Sequence, residues 1–168
     1  MAYKPQAIAL PETIGTAFPT SPEDGQAYYR TDHEELYHYD GTRSKWLGEL
    51  QTIQINRNTS TSSGALSLFY GVTYMTSTKG LTFGTDMTIV GVDTRSNQAF
   101  SAPLELFIGG SKDGNIVTYS SSKGGSDRTI DYDIDENTTT QQWFRIGTIT
   151  SGTIDNPQIR IFLRRRAT

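Results

Sequence analysis

The stretch Arg128-Thr129-Ile130-Asp131-Tyr132-Asp133-Ile134-Asp135 alternates apolar and acidic side chains without a break. A period of two places Ile130, Tyr132 and Ile134 on one face of a strand and Asp131, Asp133 and Asp135 on the other. One buried face and one wet face is the pattern of an antiparallel sheet. Ile159, Ile161 and Leu163 repeat it, alternating with Gln158, Arg160 and Arg164. Further strands are expected at 52–56, 65–70, 72–77, 87–94, 99–108, 115–119 and 142–148. Turn clusters at Asn58–Gly64, Lys79-Gly80, Gly109–Gly114, Ser120–Ser126 and Asp135–Thr140 separate them. No segment of about 10–12 residues has a helical period. Residues 51–168 therefore read as an all-β, antiparallel β-sandwich of the jelly-roll kind.

Upstream lies a different texture. Ala27-Tyr28-Tyr29-Arg30-Thr31, Leu36-Tyr37-His38-Tyr39 and a return strand from about Arg43 to Leu47 read as a small three-stranded meander over residues 23–50. Asp32-His33-Glu34-Glu35 is its first turn. Asp40-Gly41 predicts a type I′ turn, with positive φ at both central positions, as the second. The aromatic rings, Trp46 among them, are expected to pack across neighbouring strands.

Residues 1–22 hold Pro5, Pro11, Pro19 and Pro22, four of the six prolines. Proline fixes φ and removes a donor, so this segment is expected to be an extended arm with no regular element of its own. It also carries Ile8, Leu10, Ile14 and Phe18, which a solvated tail does not need. The arm is therefore expected in a groove on its own domain, a neighbouring subunit or another protein.

Composition excludes several classes. With 168 residues the chain suffices for one domain, or a small domain with an appended arm. It has no Cys, which excludes a thiol nucleophile, disulfides and Cys-ligated metal centres. A net charge of -3 argues against a general nucleic-acid binder, which needs a basic surface. No stretch nears the roughly 20 apolar residues of a membrane helix. Met1–Leu10 lacks the apolar run of a signal peptide, so a chain made in the cytoplasm is expected.

Signals for catalysis are missing. His33 and His38 are two imidazoles without a clear third ligand, and are expected to be exposed hairpin residues. Asp131, Asp133 and Asp135 have the spacing that opens a calcium loop, but Glu136 stands where Gly is required and Gln142 where the closing Glu belongs. No nucleophile elbow or phosphate loop appears, so no catalytic residue, metal or cofactor is assigned. The run Arg160-Ile161-Phe162-Leu163-Arg164-Arg165-Arg166 has two readings. It could pair with acidic groups on a partner or with packaged nucleic acid, or its charges could protect the edge of a last strand.

The segment Phe18-Pro19-Thr20-Ser21-Pro22-Glu23-Asp24-Gly25-Gln26-Ala27-Tyr28-Tyr29-Arg30-Thr31-Asp32, continuing to Leu36-Tyr37-His38-Tyr39-Asp40-Gly41 and Trp46, resembles a β-ribbon module of tailed-bacteriophage structural proteins. There a P-x-x-G-x-x-Y/F-Y-R/N-T-D stretch precedes E-L-Y-x-Y-D-G and a Trp. The ending Asn156-Pro157-Gln158-Ile159-Arg160-Ile161-Phe162-Leu163-Arg164 is similar, more loosely, to the terminal strand of phage fibre and head-decoration proteins. The resemblance implies a non-enzymatic virion protein, often a homotrimer, assembled in the host cytoplasm. A compact chain with an arm, lacking a repetitive shaft, suits a decoration (cement) protein bound to the major capsid protein or another virion protein. Ile8, Leu10, Ile14, Phe18, Tyr28, Tyr29, Tyr37, Tyr39 and Trp46 are then the expected assembly interface. No specific nucleic acid or membrane partner is expected. The alternative is a tail-fibre or receptor-binding component contacting host surface glycans. The mostly aromatic-free loops, such as Ser120–Ser126, count against it.

Overall fold

The structure is a computed structural model. It describes residues 13–56, 61–64, 69–70, 73–74, 81–100, 103–108, 111–118, 122–136 and 144–167. All regular structure among them is β, with no helix. By internal contacts the chain divides into two compact units, one up to Glu49 together with Ala167, the other Leu50–Arg166.

The first unit contains β1 (Ile14–Gly15), β2 (Ala27–Arg30), β3 (Glu35–Asp40) and the start of β4 (Lys45–Asn56), in the order β1-β2-β3-β4. β2 to β4 form antiparallel neighbours, with Tyr28 opposite Tyr37 and Tyr39 opposite Trp46. β1 pairs parallel with β2, which makes the sheet mixed. This corrects the expectation that residues 1–22 hold no regular element. Residues 12–18, between Pro11 and Pro19, keep their own donors. The carbonyls of Thr13 and Gly15 accept from the N–H groups of Tyr29 (2.7 Å) and Thr31 (3.0 Å).

The Asp40-Gly41 turn also differs from expectation. The connection runs Gly41–Ser44, and its left-handed residue is Ser44 (φ 53), not Gly41. The first connection, Thr31–Glu34, likewise closes on a left-handed Glu34 (φ 52). Both are longer hairpin loops than a two-residue type I′ turn. Asp40 stabilises the second loop, accepting from the Arg43 backbone N–H at 3.0 Å and from Arg43 Nη1 at 2.6 Å. Gly41 answers a different need. Its N–H donates to Asp24 Oδ1 at 2.7 Å, and a Cβ there would stand 3.0 Å from Asp24 Cβ.

The second unit contains residues 50–56 of β4, then β5 (Thr61–Gly64), β6 (Phe69–Tyr70), β7 (Thr73–Tyr74), β8 (Met87–Phe100), β9 (Pro103–Ile108), β10 (Ser111–Thr118), β11 (Ser122–Asp127), β12 (Tyr132–Ile134), β13 (Phe144–Ile154) and β14 (Gln158–Arg166). One sheet runs β4-β14-β8-β11, with β12 also on β8; another runs β10-β9-β13-β5. Alternation supplies the core. Ile159, Ile161 and Leu163 of β14 lie opposite Thr94, Val92 and Ile89 of β8, and all six are buried. Ile130 and Ile134 are buried too, while Asp131 and Asp135 are exposed.

Several expected turns are strands. β11 occupies most of the Ser120–Ser126 cluster, β5 the end of Asn58–Gly64, and β10 begins inside Gly109–Gly114. Small polar residues here pair along long neighbours instead of turning the chain, at the cost of bulges, one of them where Ser122 and Gly124 of β11 pair with β8. β4 likewise runs unbroken from Lys45 to Asn56, where a break after Leu47 is expected. The Lys79-Gly80 turn and residues 137–140 lie outside the described residues.

Of the two readings of the C-terminal arginines, the structure corrects the protected edge. β14 lies between β4 and β8, so it is not an edge needing protection. Arg166 Nη1 donates to Asp133 Oδ2 at 2.8 Å, its Nη2 donates to Asp135, and Asp86 Oδ2 is 3.7 Å away. Thr88 Oγ1 donates to the other Asp133 oxygen at 2.7 Å. Two of the three carboxylates that resemble the opening of a calcium loop, Asp133 and Asp135, thus hold a half-buried arginine.

Candidate assembly surface

The two faces of the first unit have opposite characters. On the inner face, β2 contributes Tyr28, β3 Tyr37 and Tyr39, and β4 Trp46, because period-two alternation and register bring these positions together. Tyr28, Tyr37 and Trp46 form a buried cluster with Phe18, Tyr39 and Ala167 packed against it. Phe18 is its centre. Its ring stacks on Trp46 at 4.6 Å and 12°, meets Tyr37 edge-on at 5.4 Å, and tilts against Tyr28 at 5.5 Å. Each such pair contributes about 0.5–1.5 kcal/mol beyond simple burial. The described part of the arm therefore packs on its own unit.

A polar chain borders the rings. Arg30, 9% exposed, lays its guanidinium 4.7 Å from the Phe18 ring centre. It donates to Asp32 through Nε (2.8 Å) and Nη2 (2.6 Å), a bidentate fork. That fork holds the Asp32 carboxyl well below the usual carboxylate range and raises the Arg30 guanidinium in turn. Arg30 Nη2 also faces His33 Nε2 at 3.4 Å, and His33 Nδ1 lies 2.9 Å from the Tyr37 hydroxyl, which donates to Glu35 Oε2 at 3.2 Å. Asp32 Oδ2 also lies 3.7 Å from His33 Nε2. The fully buried Tyr37 thus has its hydroxyl satisfied by His33 and Glu35. His33 is a link in this chain rather than a free hairpin residue.

The outer face carries a row of apolar side chains. Ile14 lies opposite Tyr29 and Tyr29 opposite Leu36. They are 60%, 37% and 46% exposed. The row crosses β1, β2 and β3, with β1 at the end of the strand order.

The residues expected at an assembly interface thus divide. Phe18, Tyr28, Tyr37, Tyr39 and Trp46 come together in the interior cluster, and Ile14 and Tyr29 come together on the outer face. Ile8 and Leu10 lie outside the described residues. Leu36 escapes a sequence search for aromatic positions. Alternation about Tyr37 was the available signal, since it sends Leu36 to the opposite face. Neither a protein family, nor a curated protein, nor a solved structure matches this chain.

Proposed function

We propose that this chain is a non-enzymatic structural protein of a tailed-phage particle. In this reading it is a capsid decoration (cement) protein that acts as a homotrimer on the major capsid protein. Its second unit is read as a jelly-roll-like antiparallel β-sandwich, which the approach of β13 to β8 and of β10 to β11 supports. The observation that carries the reading is the exposed row Ile14–Tyr29–Leu36. Contiguous exposed apolar side chains at the end of a sheet are characteristic of a contact surface. The motif residues that resemble the phage ribbon module support it further, because Phe18, Tyr28, Arg30, Asp32, Tyr37 and Trp46 all serve the rigid interior behind that row.

Deleting residues 1–22 would be a poor test, since it also removes Phe18 from the interior. The substitutions Tyr29→Glu and Leu36→Glu leave the interior intact. Light scattering on the full chain should give a trimer, and the double variant should dissociate at least roughly tenfold more readily. A wild-type monomer at all concentrations, or a variant that associates as before, would remove the basis for this reading.

A second reading, a tail-fibre or receptor-binding component that touches host glycans, is supported by a polar cleft in the second unit.

A further inference from the structure

On the solvent face of the second unit's sheet, antiparallel register sets polar side chains in rows. Gln158 lies opposite Arg95 and Arg160 opposite Asp93 across β14 and β8. Across β8 and β11, Gly124 lies opposite Arg95 and Ser126 opposite Asp93. Val92, Thr94, Ile159 and Ile161, which alternate with these positions, are buried, so the rows face outward. Gln54 joins them from β4, and together they line an open cleft of about 570 Å³.

The charges in this cleft are unevenly matched. Asp93 is already held, with both its oxygens 2.9 Å from Arg128 Nη2. Arg128 is itself fixed, its guanidinium 3.6 Å from the Phe162 ring centre. Arg95 and Arg160 are exposed and have no carboxylate partner among the described residues. As diagonal neighbours on paired strands, they are rooted about 7–8 Å apart. Arginine side chains rooted that close on one face can both reach a single anion between them.

We propose that this cleft binds a carboxylated saccharide, its carboxylate held between Arg95 and Arg160 and its hydroxyls by Gln54, Gln158 and Ser126. The inference stands on the cleft alone and does not depend on the virion reading. The volume falls in the range of small-ligand sites, and a lining about half polar and half apolar suits a saccharide, which presents hydroxyls at its ring edges and C–H groups on its faces. Guanidinium forks match planar carboxylates. Carboxamides and a hydroxyl both donate and accept, as neighbouring sugar hydroxyls require. A nucleic acid fits poorly. The cleft's lining includes no aromatic ring for base stacking. Gly124 and Gly125 leave one side without side chains, giving an extended ligand a path out.

The test is an array of uronate- and sialate-containing oligosaccharides with their methyl-esterified counterparts, probed with the full chain. The expected result is retention of at least one free-acid saccharide and loss of its ester. Titration calorimetry with that saccharide should show roughly tenfold weaker binding for Arg95→Gln and for Arg160→Gln, the effect of losing one charge-assisted contact. Both residues are exposed, so neither substitution disturbs the core. The proposal is overturned if no free-acid saccharide binds at millimolar concentration, if esters bind as well as acids, or if both variants bind unchanged. Displacement of the saccharide by an equal concentration of single-stranded DNA would also overturn it.

Discussion

The two units solve the same problem, a sheet that must cover one face, with different side chains. The first uses rings. Three strands and a short parallel edge bury Tyr28, Tyr37 and Trp46 around Phe18, and a chain of hydrogen bonds from Arg30 to Glu35 seals one side. The second uses branched aliphatics, with Ile55, Ile89, Val92, Ile161 and Leu163 all fully buried. Aromatic rings bury much area per residue and add directional ring contacts, so a small sheet gains a core from a few positions. Aliphatic side chains bury less each and need more strands, here recruited from distant parts of the sequence such as β8 and β14. The first unit therefore concentrates its stability in single residues, and the second spreads it.

This contrast can be broken by substitution. Trp46→Ala should cost the first unit about 3–5 kcal/mol, and Ile161→Ala should cost the second about 2–5 kcal/mol. Residue-resolved hydrogen exchange should show each loss confined to its own unit. If Trp46→Ala lowered protection equally in β8 and β14, the two-core comparison would fail.

The glycines sharpen it. A Cβ at Gly124 would stand 2.4 Å from the Thr94 carbonyl oxygen, a clash that only backbone movement relieves. Gly124→Ala should therefore cost about 1–3 kcal/mol. Gly25 has open space around it but a φ of 77, so Gly25→Ala should cost about 1 kcal/mol through the backbone alone. Chemical denaturation measures both, and a larger loss at Gly25 would reverse the assignment of steric and conformational cost.

Acid supplies the smallest effect. Asp32 and Asp40 in the first unit and Asp127 in the second all have lowered pKa values. For Asp32 the cause is the Arg30 fork. For Asp40 partial burial opposes ionisation, but the hydrogen bonds from Arg43 outweigh it. For Asp127 it is the Thr129 hydroxyl and N–H. A depressed native pKa means stability that is fully present above about pH 4 and is lost progressively as pH falls below it. Thermal melts from pH 7 to pH 2 should show the loss, and Asp32→Asn should flatten part of it. An Asp32→Asn protein whose acid response matches wild type would show that the Arg30 fork contributes nothing to folding.

What the sequence made legible follows the same division. Tyr28, Tyr37, Tyr39 and Trp46 lie on strands joined by short loops, so alternation and nearness in sequence sufficed to expect their rings to meet. Ile130–Ile134 and Ile159–Leu163 announced their buried faces in the same way. Local pattern could not reveal that β14 sits between β4 and β8, because pairing over such distances is decided by whole-sheet packing. Ser122–Asp127 shows the limit from the other side. Its glycines and serines carry turn propensity, yet they pair along β8, where small residues permit close approach. The cleft was hidden for the same reason, since Arg95, Arg160 and Gln54 become neighbours only through that pairing.

Ala167 has a consequence for how the protein is made. It packs against the aromatic cluster, and its N–H donates to the Trp46 carbonyl at 3.2 Å. Synthesis delivers Phe18, Tyr28, Tyr37 and Trp46 early, but this final contact arrives only after all of Leu50–Arg166 has left the ribosome. The first unit therefore gains this contact only after the second has been translated. A chain that stalls within the second unit leaves the Trp46 carbonyl without that donor.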